Sequence, residues 1–263
     1  MPPLRYQRRP AHLPHPASRA GAQAPHAASA SSPPAATPGA VAVGVRLPQP
    51  AQGDGALFTF RRGEFAVFRQ VEDYGLRELP DLPRPMVLDL GANVGVWSLA
   101  ALERWPGARV LAVEPHPVTA ALLRANMSGL PVEVLEAAVD HPKTADRARL
   151  FEGVHASTEC SLNDDVRWPH VSQQLDKWVD VRIVDAAELP EAHVLKIDTE
   201  GRELPILQGY VRQLCHVRVL LVEPHAVGGN TGEQIERISA IARAAGLVML
   251  PDAGHGLLRY VRR

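Results

Sequence analysis

Cysteines and long apolar runs are scarce in this 263-residue chain. The two cysteines, Cys160 and Cys215, are too few for a disulfide framework and have no CxxC spacing, so we expect a reducing compartment such as the cytoplasm. No run approaches the roughly 18 apolar residues that a membrane-spanning helix needs. We therefore expect no membrane partner.

Acidic side chains are missing from residues 1–53, which carry five of the 28 basic residues. The rest of the chain has 23 basic against 29 acidic side chains, a formal charge of −6. Proteins that grip a phosphate backbone cluster lysine and arginine on one surface. The charge balance therefore predicts no nucleic-acid partner.

Residues 1–54 are rich in proline, alanine, serine and histidine and have few large apolar side chains. Such a segment cannot bury enough surface to offset the entropy lost on ordering, so we predict a disordered tail. Its basic composition also resembles an organelle transit peptide, but its prolines would interrupt the amphipathic helix that such a peptide forms. A plain tail is the favoured interpretation.

Helix and strand patterns alternate through residues 55–263, which is typical of an α/β domain with a mostly parallel sheet. Seven apolar runs predict its strands, the last two as an antiparallel closing pair: 86–90, 109–114, 132–135, 193–198, 217–223, 247–250 and 257–261. Further predictions are a hairpin joining 57–60 to 65–68, extra strands near 147–151 and 179–184, and helices at 94–105, between 117 and 129, at 203–214 and from Thr231.

The segment at residues 87–95 reads VLDLGANVG and predicts a strand, a turn and a helix start. Ligands of open α/β sheets bind at the carboxyl ends of strands, so Gly91, Asn93 and Gly95 are candidate cofactor-binding residues. A dinucleotide-binding loop has the pattern GxGxxG, but Asp89 stands at the place of its first glycine. A carboxylate repels a pyrophosphate and suits an ammonium and a sulfonium, so the loop favours S-adenosylmethionine.

Glu114 ends the second strand, where a carboxylate can accept hydrogen bonds from both ribose hydroxyls. A hydrogen bond to a charged group contributes about 1.5–3 kcal/mol. Beside the third strand's end, Ala138 and Asp140 are candidates for holding adenine, although a plain turn would have the same residues. His116 either lines this pocket or caps a helix, and the sequence leaves both alternatives open.

The fourth strand ends in LKIDTEG at residues 195–201, with ionisable side chains at Lys196, Asp198 and Glu200. Residues two apart lie on the same side of a strand, so these groups should face one crevice. Methyltransferases that act on exocyclic amines have an Asn/Asp-Pro-Pro-aromatic segment here, which is absent. Carboxylates at the end of this strand could accept a proton from a substrate hydroxyl. Lys196 would orient these carboxylates.

His225 follows the fifth strand in the sequence VEPH, and one proline separates it from Glu223. A histidine beside an acid can be a general base with a pKa near neutral, so Asp198 and His225 are the predicted proton acceptors. The same histidine and Asp198 could instead hold a divalent cation with Glu200 or Glu223. The spacing does not decide between a base and a metal ligand.

These segments resemble the FkbM-type methyltransferase family from about residue 65 to 250. The similar stretches are VFRQVEDY at 67–74, VLDLGANVG at 87–95, VEPHP at 113–117, LKIDTEG at 195–201 and LVEPH at 221–225. The resemblance implies a Rossmann-like fold, S-adenosylmethionine as cofactor and O-methylation of a sugar, glycan or secondary-metabolite hydroxyl. Pro205 and Pro224 depart from the family's pattern, and Pro205 is tolerable only in the first turn of its helix.

Two other functions compete with methyl transfer. A nicotinamide-dependent oxidoreductase would be stabilised by NAD and not by S-adenosylhomocysteine. A non-catalytic protein of the same fold would bind S-adenosylhomocysteine and transfer no methyl group.

Overall fold

The computed structural model describes residues 40–44, 57–61, 74–152, 160–162, 177–225, 231–251 and 256–263. The chain divides into two compact units, residues 1–62 and 63–263. In the first unit, strands β1 (Ala40–Gly44) and β2 (Leu57–Arg61) form an antiparallel pair.

Strand β2 matches the strand expected at residues 57–60. It pairs with β1, and the predicted hairpin partner at residues 65–68 lies outside the described residues. Strand β1 falls within the predicted tail, and its residues 40–44 are extended and hydrogen-bonded to β2. Its two valines are β-branched and favour that backbone. The remaining positions of the predicted tail lie outside the described residues.

The second unit contains eleven described strands in two sheets. In chain order they are β3 (Met86–Leu90), β4 (Arg109–Val113), β5 (Val132–Leu135), β6 (Ala138–Asp140), β7 (Arg147–Glu152), β8 (Cys160–Ser161), β9 (Trp178–Asp185), β10 (Val194–Ile197), β11 (Val219–Val222), β12 (Val248–Met249) and β13 (Leu258–Val261). The seven-stranded sheet has the order β12-β13-β11-β10-β3-β4-β5, and β13 runs antiparallel to both its neighbours. The predicted α/β fold with a seven-stranded sheet and an antiparallel closing pair is confirmed.

Four α-helices connect these strands in the described residues: α1 (Val96–Arg104), α2 (Pro117–Asn126), α3 (Glu203–Gly209) and α4 (Thr231–Ala244). Short 3-10 helices occur at Leu76–Glu78, Ala186–Glu188 and Tyr210–His216. The helix expected at 203–214 therefore changes to 3-10 geometry after Gly209. Pro205 is the third residue of α3, in the first turn, where proline removes no intrahelical hydrogen bond. None of the helices in the described part of the chain could span a membrane.

The order of the parallel strands indicates where a ligand-binding site should lie. The chain runs from β3 outward to β4 and β5 and then returns to β10 on the other side of β3. Ligands of open α/β sheets bind at such a reversal of strand order. Leu90 and Ile197 are paired at the ends of β3 and β10, so the loops that follow these two strands start side by side.

A four-stranded sheet of order β6-β9-β7-β8 forms beside the main sheet. Strands β7 and β9 confirm the extra strands expected near 147–151 and 179–184. Leu150 of β7 and Val181 of β9 are buried in a separate apolar cluster of this sheet.

At Gly91 the loop after β3 comes into close contact with the loop after β10. The φ of Gly91 is 76°, and a Cβ built on it would lie 1.7 Å from the carbonyl oxygen of Asp198. That distance leaves no space for any side chain. The first glycine of the loop is therefore required by packing between β3 and β10 as well as by the turn.

We expect Gly91→Ala to destabilise the protein far more than Gly129→Ala. Gly129 has nearly the same φ of 79°, but no atom lies within 4 Å of a Cβ built there. The control should lose about 1–2 kcal/mol from backbone strain alone, and Gly91→Ala about 3 kcal/mol or more because the clash adds to the strain. Equal free energies of unfolding in urea for the two variants would contradict this account of Gly91.

Candidate functional site

A cleft opens over the carboxyl ends of the central strands. Its wall includes the loop after β3, the tips of β4, β10 and β11, and side chains of β7 and β8. Small and apolar residues line one end, among them Ala138 and Leu150, and the ionisable side chains of Asp198, Glu200 and Glu223 line the other. The cleft thus has an apolar end and an acidic end.

Asp89 lies beneath the cofactor loop and is fully buried. It accepts a hydrogen bond of 2.6 Å from the Ser98 hydroxyl, and its Oδ1 lies 3.2 Å from Lys196 Nζ. The described residues that line the cleft do not include Asp89. The expectation that its carboxylate faces the cofactor is not supported; it instead fastens the first turn of α1 to the sheet.

Lys196 connects the loop after β3 to the acidic end of the cleft. Its buried ammonium donates to the Gly91 carbonyl at 3.0 Å and lies 3.2 Å from Asp89 and 3.3 Å from Asp198. Burial alone lowers the pKa of Lys196, but the charges of Asp89 and Asp198 raise it above its usual value. The side chain is therefore a cation that sets the positions of both carboxylates and the loop.

Glu114 lies at the tip of β4, is 5% exposed and lines the cleft. One carboxylate oxygen accepts from the Asn93 amide at 3.0 Å and the other from the His116 amide at 2.9 Å. Burial raises the pKa of Glu114 to about 7, although these two amides lower it. Each oxygen keeps a second lone pair, so two ligand hydroxyls can bind the same carboxylate.

Asn93 and Gly95 give the cofactor loop its shape. Asn93 has a φ of 51°, a left-handed conformation that asparagine tolerates, and its side chain accepts from the Val94 amide at 2.7 Å. Asn93 lines the cleft, whereas Gly95 is the N-cap of α1 and packs towards Leu123 and Met127. Gly95 thus has a helix-packing role, and its contact with a cofactor stays a prediction.

His116 is a helix cap. It is buried at the N-cap of α2, where Nδ1 accepts from the Thr119 amide at 3.4 Å and Nε2 lies 2.9 Å from Glu152. The described residues of the cleft wall do not include it. Of the two alternatives left open for His116, the structure favours capping.

Ala138 lines the apolar end of the cleft, but Asp140 does not. Asp140 pairs with Arg202, whose Nε donates at 2.9 Å, and also accepts from the His141 amide at 2.7 Å. Oδ1 of Asp140 is therefore bound by protein donors, and its contact with adenine stays a prediction. Sequence reasoning missed this pair because its members are distant in the chain.

Tyr74 joins the tips of β10 and β11 at the acidic end. Its buried hydroxyl donates to Glu223 at 2.8 Å and lies 3.3 Å from Asp198 Oδ2. Burial and the charge of Asp198 raise the pKa of Glu223, and burial and both carboxylates raise the pKa of Tyr74. Tyr74 was not among the predicted site residues; the signal for it is its place in the family-like stretch at 67–74.

Glu203 organises the loop that carries the acidic residues. It is fully buried, and its Oε1 accepts from the amides of Thr199 and Gly201 at 3.0 and 2.9 Å. Between these amides, Glu200 has a φ of 53°, which is uncommon for a residue with a side chain. Glu203 was not among the predicted site residues, and its positioning role becomes visible only in three dimensions.

His225 is held between two glutamates, Glu200 and Glu203. Nδ1 lies 3.1 Å from Glu203 and Nε2 3.4 Å from Glu200. Burial lowers the pKa of His225, but the hydrogen bond to Glu203 and the charges of Glu200, Glu203 and Asp198 raise it well above its ordinary value. These neighbours favour the protonated imidazole, and in that form His225 positions the two glutamates.

The arrangement expected for a cation site is also present. Asp198, Glu200 and His225 each offer one possible ligand atom, and these three atoms lie within 4.8 Å of one another. Carboxylate oxygens and an imidazole nitrogen are ligands for several divalent metals. The geometry of these three residues is therefore also compatible with a bound divalent cation.

The methyltransferase FkbM domain family matches residues 89–248, more than half of the chain. This chain belongs to that family. The resemblance inferred from the sequence motifs is thereby confirmed, and the oxidoreductase alternative is set aside.

Two curated relatives extend the comparison. The 31-O-demethyl-FK506 methyltransferase FkbM of Streptomyces tacrolimicus is 28% identical over 201 residues, covering 65% of this chain and 75% of the relative. The hexuronic acid methyltransferase AglP of Haloferax volcanii is 29% identical over 146 residues, covering 52% of this chain and 55% of that protein.

Solved structures with a related backbone include two archaeal fibrillarins. The Aeropyrum pernix protein, in complex with S-adenosyl-L-methionine, has a TM-score of 0.45 at 14% identity, covering 85% of this chain and 94% of that one. The Methanococcus jannaschii protein has a TM-score of 0.46 at 9% identity, covering 84% and 87%.

We expect Glu203→Gln to lower the pKa of His225, because the substitution removes one of the negative charges that hold the imidazolium. The pKa is measured by NMR titration of the histidine side chains, with the His225 signal assigned from its loss in His225→Gln. The other histidine signals provide an internal control, and a thermal melt checks that the variant is folded. A wild-type His225 that titrates at or below the ordinary histidine value would contradict the assigned charge.

Proposed function

We propose that this FkbM-family protein is an S-adenosylmethionine-dependent O-methyltransferase acting on a hydroxyl of a small molecule or glycan. The proposal rests on the residues that line one cleft. They include Glu114, whose carboxylate can bind ribose hydroxyls, the glycine loop after β3, and Asp198, whose carboxylate can accept a proton. The names of the two curated relatives, which refer to a demethylated natural product and to a hexuronic acid, support a small hydroxylated acceptor. The acidic charge balance supports the absence of a nucleic-acid partner.

The cleft fits the cofactor part by part. Ala138 and Leu150 would border the adenine at the apolar end, and the second lone pairs of Glu114 would accept from the ribose hydroxyls. The loop at 91–95 would hold the amino-acid end. When bound, S-adenosylmethionine supplies a methyl group activated by an adjacent sulfonium.

The protein's own residues position the acceptor and remove its proton. Asp198 lines the cleft, and its Oδ2 lies 3.3 Å from both the Tyr74 hydroxyl and Lys196 Nζ. These two contacts orient the carboxylate, which then accepts the proton from the acceptor hydroxyl. Orientation of two reactants can contribute up to about 7–11 kcal/mol to a rate enhancement. His225 is assigned a positioning role through Glu200 and Glu203.

In a second candidate mechanism, Asp198, Glu200 and His225 bind a divalent cation. It is supported by the short distances between their possible ligand atoms. The acceptor hydroxyl would then be acidified by the metal and not by a carboxylate alone. Activity after EDTA treatment, with and without added Mg²⁺ or Mn²⁺, separates the two candidates. Unchanged turnover after chelation favours Asp198 as the base.

Titration calorimetry tests the cofactor, and mass spectrometry tests the reaction. We expect binding of S-adenosylmethionine and S-adenosylhomocysteine and no binding of NAD. Methyl transfer is assayed with 31-O-demethyl-FK506 and with free hexuronic acids as probes, and the product should gain one methyl group on oxygen. Binding of a dinucleotide in place of either S-adenosyl compound would overturn the proposal.

Asp198→Asn should lower kcat by about 100-fold or more, because an amide cannot accept the proton. Its affinity for S-adenosylhomocysteine should change little. Glu136→Gln is the matched control, since Glu136 is a partly exposed carboxylate paired with Arg124 at the surface. Full turnover of Asp198→Asn would show that the proton goes elsewhere.

The affinity for S-adenosylhomocysteine should fall as the pH drops below the pKa of Glu114, which is about 7. The raised pKa means that the carboxylate is increasingly protonated below neutral pH and then accepts fewer hydrogen bonds. If the ribose requires the ionised form, binding at pH 6 should be on the order of ten-fold weaker than at pH 8. Glu114→Gln should bind weakly at both pH values, and an equally steep pH dependence in that variant would exclude Glu114 as the cause.

A further inference from the structure

One face of the four-stranded sheet carries a row of arginine and aromatic side chains. Successive side chains of a strand point to opposite sides, and the buried Leu150 and Val181 mark the side that packs into an apolar cluster. The opposite side is formed by six residues of β7 and β9, which we call the arginine face: Arg147, Arg149, Phe151, Trp178, Asp180 and Arg182. All of them except Phe151 are exposed.

The charges of the arginine face are not balanced within it. Arg147 lies directly opposite Arg182, and like charges at opposed positions destabilise a pair of strands. Asp180 pairs with Arg147, and the nearby Asp146 pairs with a lysine. Arg149 and Arg182 form no ion pair with any residue that the structure describes. Three arginines and one aspartate leave a net charge of +2, which a negatively charged partner would offset.

Trp178 gives the arginine face an aromatic surface. It is 47% exposed, and the guanidinium carbon of Arg149 lies 4.5 Å from its ring centroid. The aliphatic C–H groups of a sugar ring pack well on an aromatic ring, whose face is electron-rich. A guanidinium binds a carboxylate through two parallel hydrogen bonds. A sugar that carries a carboxylate therefore matches both kinds of side chain.

The arginine face lies close to the cleft because the same sheet forms part of the cleft wall. Leu150, on the other side of β7, lines the cleft, and so does Cys160 of the edge strand β8. Ser161 of β8 donates a hydrogen bond of 2.6 Å to the carbonyl oxygen of Glu200, which lines the acidic end. Neighbouring strands are about 4.8 Å apart, so β7 and β9 lie about 5 and 10 Å from β8. A glycan of a few sugar units can span that distance.

The charge of the acidic end explains why a carboxylate would bind outside the cleft. Asp198, Glu200 and Glu223 line that end and repel an anionic group of an acceptor. On the arginine face, the carboxylates of neighbouring sugar units would meet a positive charge instead. Only the sugar unit with the hydroxyl to be methylated would have to enter the cleft.

A nucleic acid fits the arginine face less well than an acidic glycan. A net charge of +2 matches two carboxylates, but tight binding of a phosphate backbone typically neutralises about 6–10 phosphates. Single-stranded nucleic acids also stack successive bases on several aromatic side chains. The one large aromatic side chain that is exposed on this face is Trp178, which is already stacked with Arg149.

We propose that the arginine face is an exosite that binds the carboxylates of an acidic glycan while a neighbouring sugar unit enters the cleft. Arg149 and Arg182 bind the carboxylates, and Trp178 packs against a sugar ring. The role of this glycan as the methyl acceptor rests on the proposed function, whereas its binding to the arginine face needs no cofactor.

Titration calorimetry at low ionic strength tests the exosite with hexagalacturonate and with maltohexaose, an uncharged oligosaccharide of the same length. We expect wild type to bind hexagalacturonate about ten-fold or more tightly, because each contact of a carboxylate with a guanidinium is charge-assisted. The double variant Arg149→Gln/Arg182→Gln should lose most of that preference. Trp178→Ala should weaken the binding of hexagalacturonate about three-fold or more, because it removes the stacking surface.

Arg124→Gln is the matched control. Arg124 is an exposed arginine in the last turn of α2 that pairs with Glu136 and is not part of the arginine face. This variant should bind hexagalacturonate within about two-fold of wild type. All variants should keep their affinity for S-adenosylhomocysteine, which shows that they are folded and that the cleft is intact.

Equal affinities of wild type for the two oligosaccharides, or an unchanged preference in the double variant, would overturn the exosite. Tighter binding of a single-stranded DNA oligonucleotide of equal charge, lost in the double variant, would assign the arginine face to nucleic acid and overturn it as well. If wild type binds hexagalacturonate but no S-adenosyl compound, the proposed function fails and the exosite is supported.

Discussion

The buried ammonium of Lys196 is the interaction on which the rest of the site depends. It lies between Asp89 and Asp198 and donates to the Gly91 carbonyl, so one charge holds β3, β10 and the cofactor loop together. A charge removed from water must be paired, and loss of one partner of a buried pair costs about 3–5 kcal/mol. The three groups around Lys196 are therefore constrained jointly, and the cofactor loop cannot move independently of the acidic tip.

An excess of negative charge dominates the acceptor side. Asp198, Glu200, Glu203 and Glu223 converge there, and the structure offsets them with donors. His225 lies between two glutamates that favour its protonated form, and Tyr74 donates to Glu223. These neighbours support a positioning role for the histidine, and Asp198, which lines the cleft, is the proposed proton acceptor.

Local patterns predicted the fold well, for identifiable reasons. Strands β3, β10 and β11 are buried along most of their length, so they are short runs of apolar residues that stand out from their surroundings. Pro117 at the start of α2 and the glycine loop are equally local signals. Alternation identified β2 as a strand but does not name its partner.

The sequence by itself determined the order of strands and helices along the chain and the family, because each depends on patterns within a few residues or on short motifs. Only the tertiary structure decided that Asp140 pairs with Arg202, that Asp89 lies beneath the loop, that His116 caps a helix and that His225 lies between two glutamates. Those outcomes depend on burial and on charges brought together from distant parts of the chain. Spacing along the sequence carries no information about either.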